Sequence, residues 1–150
     1  RNMEGTLILA LKLLSKVFLE LLPELSQLTT FSKLWLGVLN RMEKYMKVKV
    51  GGRKCEKLRD QVPELLKNTL LVMFLRGVLV EKSDGGDNSL WELTWLHVNK
   101  IAPSLQSEIS RDPILEQSET KQGESGRVSD VTGTLIPTET AAAEGSSRGG

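Results

Sequence analysis

The stretch SLWELTWLHVNKIAPSL (89–105) holds two of the three tryptophans of the chain, Trp91 and Trp95, and its single histidine, His97. The tryptophans stand one helical turn apart, with Leu90, Val98 and Ile101 at spacings that share their face. Ser89 is placed to cap a helix, because its hydroxyl can accept a bond from an otherwise unpaired amide of the first turn. Pro103 stops it, since proline has no amide to donate and biases Ala102 away from helical geometry. The stretch is read as a short amphipathic helix that closes the folded part of the chain.

The segment beyond Pro103 has a different character. Residues 104–150 are rich in Ser, Thr, Gly, Glu and Gln and hold no aromatic residue. Such a segment buries too little apolar surface to offset the entropy of ordering it, so a disordered polar tail is expected over 104–150 and a helical segment over 1–103. Charge divides along the same line. The first 103 residues carry sixteen Lys and Arg against eleven Asp and Glu, and the remainder four against eight. Neither half has the basicity of a nucleic-acid footprint, so no nucleic-acid partner is expected.

Between Leu7 and Leu22, twelve of sixteen residues are apolar. A helix with so narrow a polar stripe, built on Lys12, Lys16 and Glu20, is one buried on most sides. Pro23-Glu24 opens a further turn. With Thr29 or Thr30 as cap, a second helix is expected over 31–50, where Phe31, Trp35, Val38, Met42 and Tyr45 recur on one face, and Gly51-Gly52 ends it. A charged connector over 53–61 leads to a third helix over 63–77, with Pro63 in its first turn and Gly77 near its end. SDGGDN (83–88) is a turn.

Four principal helices in two antiparallel pairs, with no convincing strand, make an all-α fold. Their size and early prolines suit the end of an armadillo- or HEAT-like solenoid, although no clean internal sequence repeat is visible. A compact four-helix bundle is the alternative. Because helix pairs in an array bury their apolar faces on neighbours, two pairs with an over-apolar first helix look like an array whose preceding pairs are missing. That predicts an apolar patch at the N-terminal edge. The chain begins at Arg1, and we expect it to be the end of a longer protein.

The chemistry-bearing inventory is thin. Cys55 is the single cysteine, which excludes a disulfide within the chain and any cysteine-rich zinc site. His97 has no sequence partner that makes a nucleophilic dyad, and SDGGD lacks the calcium-loop pattern. Gly51-Gly52-Arg53-Lys54 is not a phosphate loop, which needs GxxxxGK[ST] between a strand and a helix. No catalytic residue, cofactor or metal is therefore expected. The one patch of functional interest is basic: Lys44, Lys47, Lys49, Arg53, Lys54, Lys57 and Arg59, a candidate contact for an anionic membrane or a partner. Glu43, Glu56 and Asp60 interrupt it and favour a solvated helix end. Trp35, Trp91 and Trp95 are read as structural core.

Three segments in order, LTTFSKLWLGVLNRMEKYMKVKV (28–50), VPELLKNTLLVM (62–73) and SLWELTWLHVNKIAPSL (89–105), resemble the C-terminal region of the large ARF guanine-nucleotide exchange factors of the Golgi brefeldin-resistance class, nearest to its plant GNOM type. NMEGTLILALKLLSKVFLELL (2–22) fits the same region. The resemblance implies a downstream helical repeat domain with regulatory, membrane and partner roles. In the family, exchange is performed by a Sec7 domain through a glutamate-bearing loop, and nothing in this chain is similar to that domain. It further implies a cytosolic protein, peripheral on Golgi and endosomal membranes and acting in vesicle trafficking. Its partners would be the rest of the parent exchange factor and, through the parent alone, an ARF GTPase.

Overall fold

The computed structural model describes residues 2–111, all within the first of two units into which the chain divides, 1–111 and 112–150. The expected polar tail from 112 onward lies outside the described residues. Asn2 starts the first helix: its side-chain oxygen accepts from the Gly5 amide at 2.9 Å, and α1 runs Met3–Glu20. Pro23 sits in the first turn of the short α2, Leu22–Leu25, where its missing amide costs nothing. α3 follows at Phe31–Met46, with Phe31, Trp35, Val38, Leu39 and Met42 buried.

Two boundaries differ from those read in the sequence. α3 ends at Met46, four residues short of Val50, and no strand was expected beyond it. Lys49–Val50 instead forms β1, which pairs antiparallel with β2, Arg53–Lys54. Gly51 and Gly52 have φ of 59° and 78°, so they make the tight turn of a hairpin and not a helix cap. Positive φ at both central residues matches the right-handed twist of the flanking strands, and glycine alone adopts it without strain. The second difference is α4, which spans Glu56–Leu75 and takes in most of the charged connector. Pro63 therefore lies inside the helix, where it removes one backbone bond. Burial of Leu58 and Val62 outweighs that loss, and the Glu4 carboxylate of α1 accepts from the Leu58 amide at 3.1 Å, capping the first turn from another helix. α4 ends as expected near Gly77, whose φ is 70°. The Val78 amide donates to Met73 O and the Gly77 amide to Phe74 O, satisfying carbonyls that the helix end would orphan.

α5 spans Ser89–Ile101. Ser89 is its first residue and not its cap. Asn88 precedes it but spends its side chain closing the turn, accepting from Lys82 N and donating to Lys82 O. Asp87 takes over the capping role, accepting from the Ser89 amide at 2.9 Å. That backbone bond, then the Ser89 hydroxyl, holds the Asp87 carboxyl below the ordinary carboxylate range, with a smaller contribution from Lys82. Beyond Pro103 the packing continues. α6, Leu105–Ser110, buries Leu105 and Ile109 against α4 and α5, so the folded segment reaches past the boundary expected at residue 103.

The helices form hairpins that stack. In the first, Phe18 near the end of α1 lies 5.4 Å from the Trp35 ring and 6.1 Å from Phe31 at the start of α3. In the second, Phe74 near the end of α4 lies 5.7 Å from Trp91 at the start of α5 and 6.1 Å from Trp95 in its middle. The main packing is between alternate helices, α1 with α4 and α3 with α5, and α3 also meets α4. Both alternate pairs run parallel: Glu4 and Leu58 join the first turns of α1 and α4, while Trp35 meets Thr94 and, further along, Glu43 meets His97. An up-and-down bundle would pack sequential helices as its closest neighbours. Stacked hairpins pack alternate ones, so the fold is all-α and of the array type.

The stack gives meaning to a short recurrence that is too slight to read as a repeat in the sequence alone. Trp35-Leu36-x-Val38 recurs as Trp95-Leu96-x-Val98, and Phe31 takes the place of Trp91. At the centre, the fully buried Trp35 donates its indole N–H to Thr94 Oγ1 at 2.9 Å, and the Thr94 hydroxyl donates to Leu90 O at 2.7 Å.

Thr94→Val keeps the shape and removes the acceptor, leaving a buried N–H unpaired at a cost of about 1–3 kcal/mol. We expect a lower urea midpoint at unchanged m-value, and near-wild-type stability for Thr94→Ser. A separate outcome concerns Asp87. Its folded pKa is depressed, so its contribution to stability is complete above the unfolded value of about 3.9 and is lost as pH falls through the lower folded value. The Ser89 amide resonance should titrate with a midpoint below that of an ordinary aspartate, and Asp87→Asn should abolish the titration.

Candidate functional site

The hairpin gathers the basic cluster that the sequence spreads over sixteen positions. Lys44 belongs to the last turn of α3, Lys47 follows it, Lys49 lies on β1, Arg53 and Lys54 on β2, and Lys57 and Arg59 in the first turns of α4. Lys44 stands where the partial negative charge of a helix C-terminus favours a cation. The five lysines and Arg53 are exposed, and Arg59 is half-buried.

Acidic neighbours divide the cluster. Glu43 Oε2 lies 3.4 Å from Lys47 Nζ, and Glu56 Oε1 lies 3.9 Å from Arg59 Nη1. Such exposed pairs contribute little to stability, but they do lower the local positive potential. Lys44, Lys49, Arg53, Lys54 and Lys57 have no ion pair among the described residues. Lys49 and Lys54 face each other directly across the ladder, an arrangement of like charges that opposes strand pairing. Val50, half-exposed, pairs with Arg53 beside the turn. The result is a small projecting tip with cations on both strands.

His97 is drawn into the same region. Its Nδ1 lies 3.7 Å from Glu43 Oε1, too far for a hydrogen bond, and has no hydrogen-bond partner. Glu43 thus stands between Lys47 and His97, where α3 faces α5. In the linear sequence Glu43 is only an interruption of the basic run, and nothing there points to this role. Cys55 is buried just ahead of α4. Among the described residues no group of His, Cys, Asp and Glu could hold a metal ion. An open groove beside α6 is lined by Pro103, Gln106, Ser107, Ser110 and Arg111, with one charged side chain and no acid–base pair.

The tryptophans divide. Trp35 is fully buried and Trp95 is 8% exposed, whereas Trp91 is half-buried, its ring against Phe74 and Trp95. The side chains that sequence reasoning passed over are Thr94 and Glu4. Thr94 carried one usable signal, a hydroxyl at the helical spacing of Val98 and Ile101. Glu4 carried none, because its partner amide lies in another helix.

Residues 1–105 match the family described as a GBF1-like tetratrico peptide repeat region. That description names a different class of helix-pair array from the armadillo or HEAT type suggested by helix size, and all of these stack helix pairs. The chain is 70% identical over 112 residues to the ARF guanine-nucleotide exchange factor GNOM of Arabidopsis thaliana, a match covering 75% of this chain and 8% of the relative. It is 54% identical over 117 residues to GNL1, another ARF guanine-nucleotide exchange factor of that plant, covering 78% and 8%. A Caenorhabditis elegans homolog of the Golgi-specific brefeldin A-resistance guanine nucleotide exchange factor 1 is 34% identical over 112 residues, covering 75% and 5%. The chain therefore spans less than a tenth of the length of these relatives. No solved structure matches it.

Proposed function

This chain belongs to the GNOM-type large ARF guanine-nucleotide exchange factors, and we propose that it is a non-catalytic C-terminal helical repeat segment of such a factor. The observation that carries this reading is that the family match, residues 1–105, coincides with the stacked hairpins themselves. Of the polar side chains in the stack, Thr94 and Glu4 hold helices together, and Thr69 bonds within its own helix. In this reading the exchange chemistry belongs to a Sec7 domain elsewhere in the parent. The segment regulates or positions that parent in vesicle trafficking, peripherally on Golgi and endosomal membranes, and meets ARF only through it. No described helix is long and apolar enough to cross a membrane.

A second reading is supported by the hairpin. A like-charged Lys49–Lys54 pair on an exposed tip is relieved by an external anion, and each cation near an anionic bilayer contributes about 1 kcal/mol. On this reading Lys44, Lys49, Arg53, Lys54 and Lys57 touch the membrane surface, with Lys47 and Arg59 partly offset by Glu43 and Glu56.

Release of a fluorescent guanine nucleotide from purified ARF should run at the spontaneous rate when the chain is added. Acceleration that scales with its concentration would sink the non-catalytic reading. For the second reading, the chain should co-sediment with vesicles containing anionic lipid, and high salt or Lys49→Ala/Lys54→Ala should release it. Binding indifferent to salt and to lipid charge counts against the hairpin.

A further inference from the structure

We propose that the free face of α1 seats a further helix of the same array, parallel to α1 and supplied by the polypeptide preceding residue 1 in the parent protein. The inference rests on the parent-protein reading above. It begins with a stripe of aliphatic side chains. Leu9, Leu13, Val17 and Leu21 recur at four-residue steps and are 58%, 52%, 50% and 47% exposed. They lie across the helix from Leu11, Ser15 and Phe18, which are buried in the stack. Lys12 and Lys16 fall between the two faces and are exposed. α1 is thus apolar on two sides and polar on a strip between them, the pattern of a helix with neighbours on both flanks.

The stack itself says what kind of neighbour fits. α4 lies parallel on the inner face of α1 and α5 parallel on α3, so the second hairpin repeats the first by one step. The recurrence of Trp35-Leu36-x-Val38 as Trp95-Leu96-x-Val98 fixes that step in sequence. The same step taken in the opposite direction brings a helix, parallel again, onto the outer side of α1. The stripe runs from Leu9 to Leu21, about 18 Å at 1.5 Å per residue, a length that a helix of this size covers.

The two ends of the stack are also unlike. At one end α6 buries Leu105 and Ile109 and turns Gln106, Ser107, Glu108 and Ser110 outward. At the other, α1 presents four aliphatic side chains that nothing among the described residues covers. Repeat arrays close their ends with a polar outer face. α6 itself meets that requirement, although Leu93 and Leu96 of the neighbouring α5 are exposed, and the α1 end carries the longer aliphatic stripe.

The test places a photo-crosslinker in the full parent polypeptide that carries this segment, as Leu13→p-benzoylphenylalanine, with Lys16→p-benzoylphenylalanine as control. Mass spectrometry should map crosslinks from position 13 to one intrachain stretch preceding residue 1, with no such crosslink from position 16. Crosslinks from 13 to a second copy, to lipid or to another protein overturn the inference, and so does an unreacted site. As a second measurement, amides of α1 should exchange more slowly in the parent than in the 150-residue chain, and Leu13→Glu/Val17→Glu should abolish the difference. Equal exchange in both overturns it. Sequencing the transcript ahead of the Arg1 codon tests the parent reading separately. An open frame with crosslinks elsewhere defeats the inference alone, whereas no open frame defeats both.

Discussion

The hydrogen bond from the Trp35 indole to the Thr94 hydroxyl is the point on which the arrangement of this chain turns. It joins the first hairpin to the second at a place from which water is excluded, where an unpaired indole N–H costs about 1–3 kcal/mol. Thr94 is held in position by its own bond to Leu90 O, so the acceptor faces α3 and does not rotate freely. Phe18 closes over the other side of the Trp35 ring. The end of α1, the start of α3 and the middle of α5 all meet at this one side chain, and with them the parallel register of α3 and α5. Apolar burial brings the helices together without direction, and this bond selects one register among those that burial would allow.

Much of the fold is legible in the chain because apolar periodicity and local punctuation suffice for it. Phe31, Trp35, Val38 and Met42 announce α3, and Gly77 announces the end of α4 through a left-handed turn that glycine adopts easily. Where sequence and structure part, a contact from elsewhere in the chain decides. Pro63 marks a helix start by every local rule, yet Glu4 caps α4 two turns earlier from another helix, and Leu58 and Val62 become core. Ser89 is a good cap by composition, but Asp87 reaches its amide first. Leu105 and Ile109 stand as isolated apolar residues in a polar stretch, and become core because α4 and α5 leave a place for them.

The basic cluster shows the complementary case, in which position was legible and arrangement was not. Seven cations between 44 and 59 are visible in any reading of the sequence. That Lys49 and Lys54 face each other, while Lys47 and Arg59 are partly offset, depends on a two-residue turn at Gly51-Gly52 that local rules assign equally well to a helix cap. Glu43 is similar. Its place beside His97 follows only from the packing of α3 on α5. Among the described residues, none of these juxtapositions makes a group that could hold a metal ion.

The recurrence of Trp35 as Trp95 carries one last consequence. The first indole finds its acceptor on the following hairpin, and the second occupies the corresponding place with its N–H buried and unpaired. In the language of crystals, Trp95 holds a dangling bond among the described residues. α6 supplies hydrocarbon at that surface through Leu105 and Ile109, but no acceptor among the described residues reaches the indole. Among the described residues, α6 therefore adds no side-chain hydrogen bond like the one from Trp35 to Thr94, and the stack is tied less firmly at Trp95 than at Trp35.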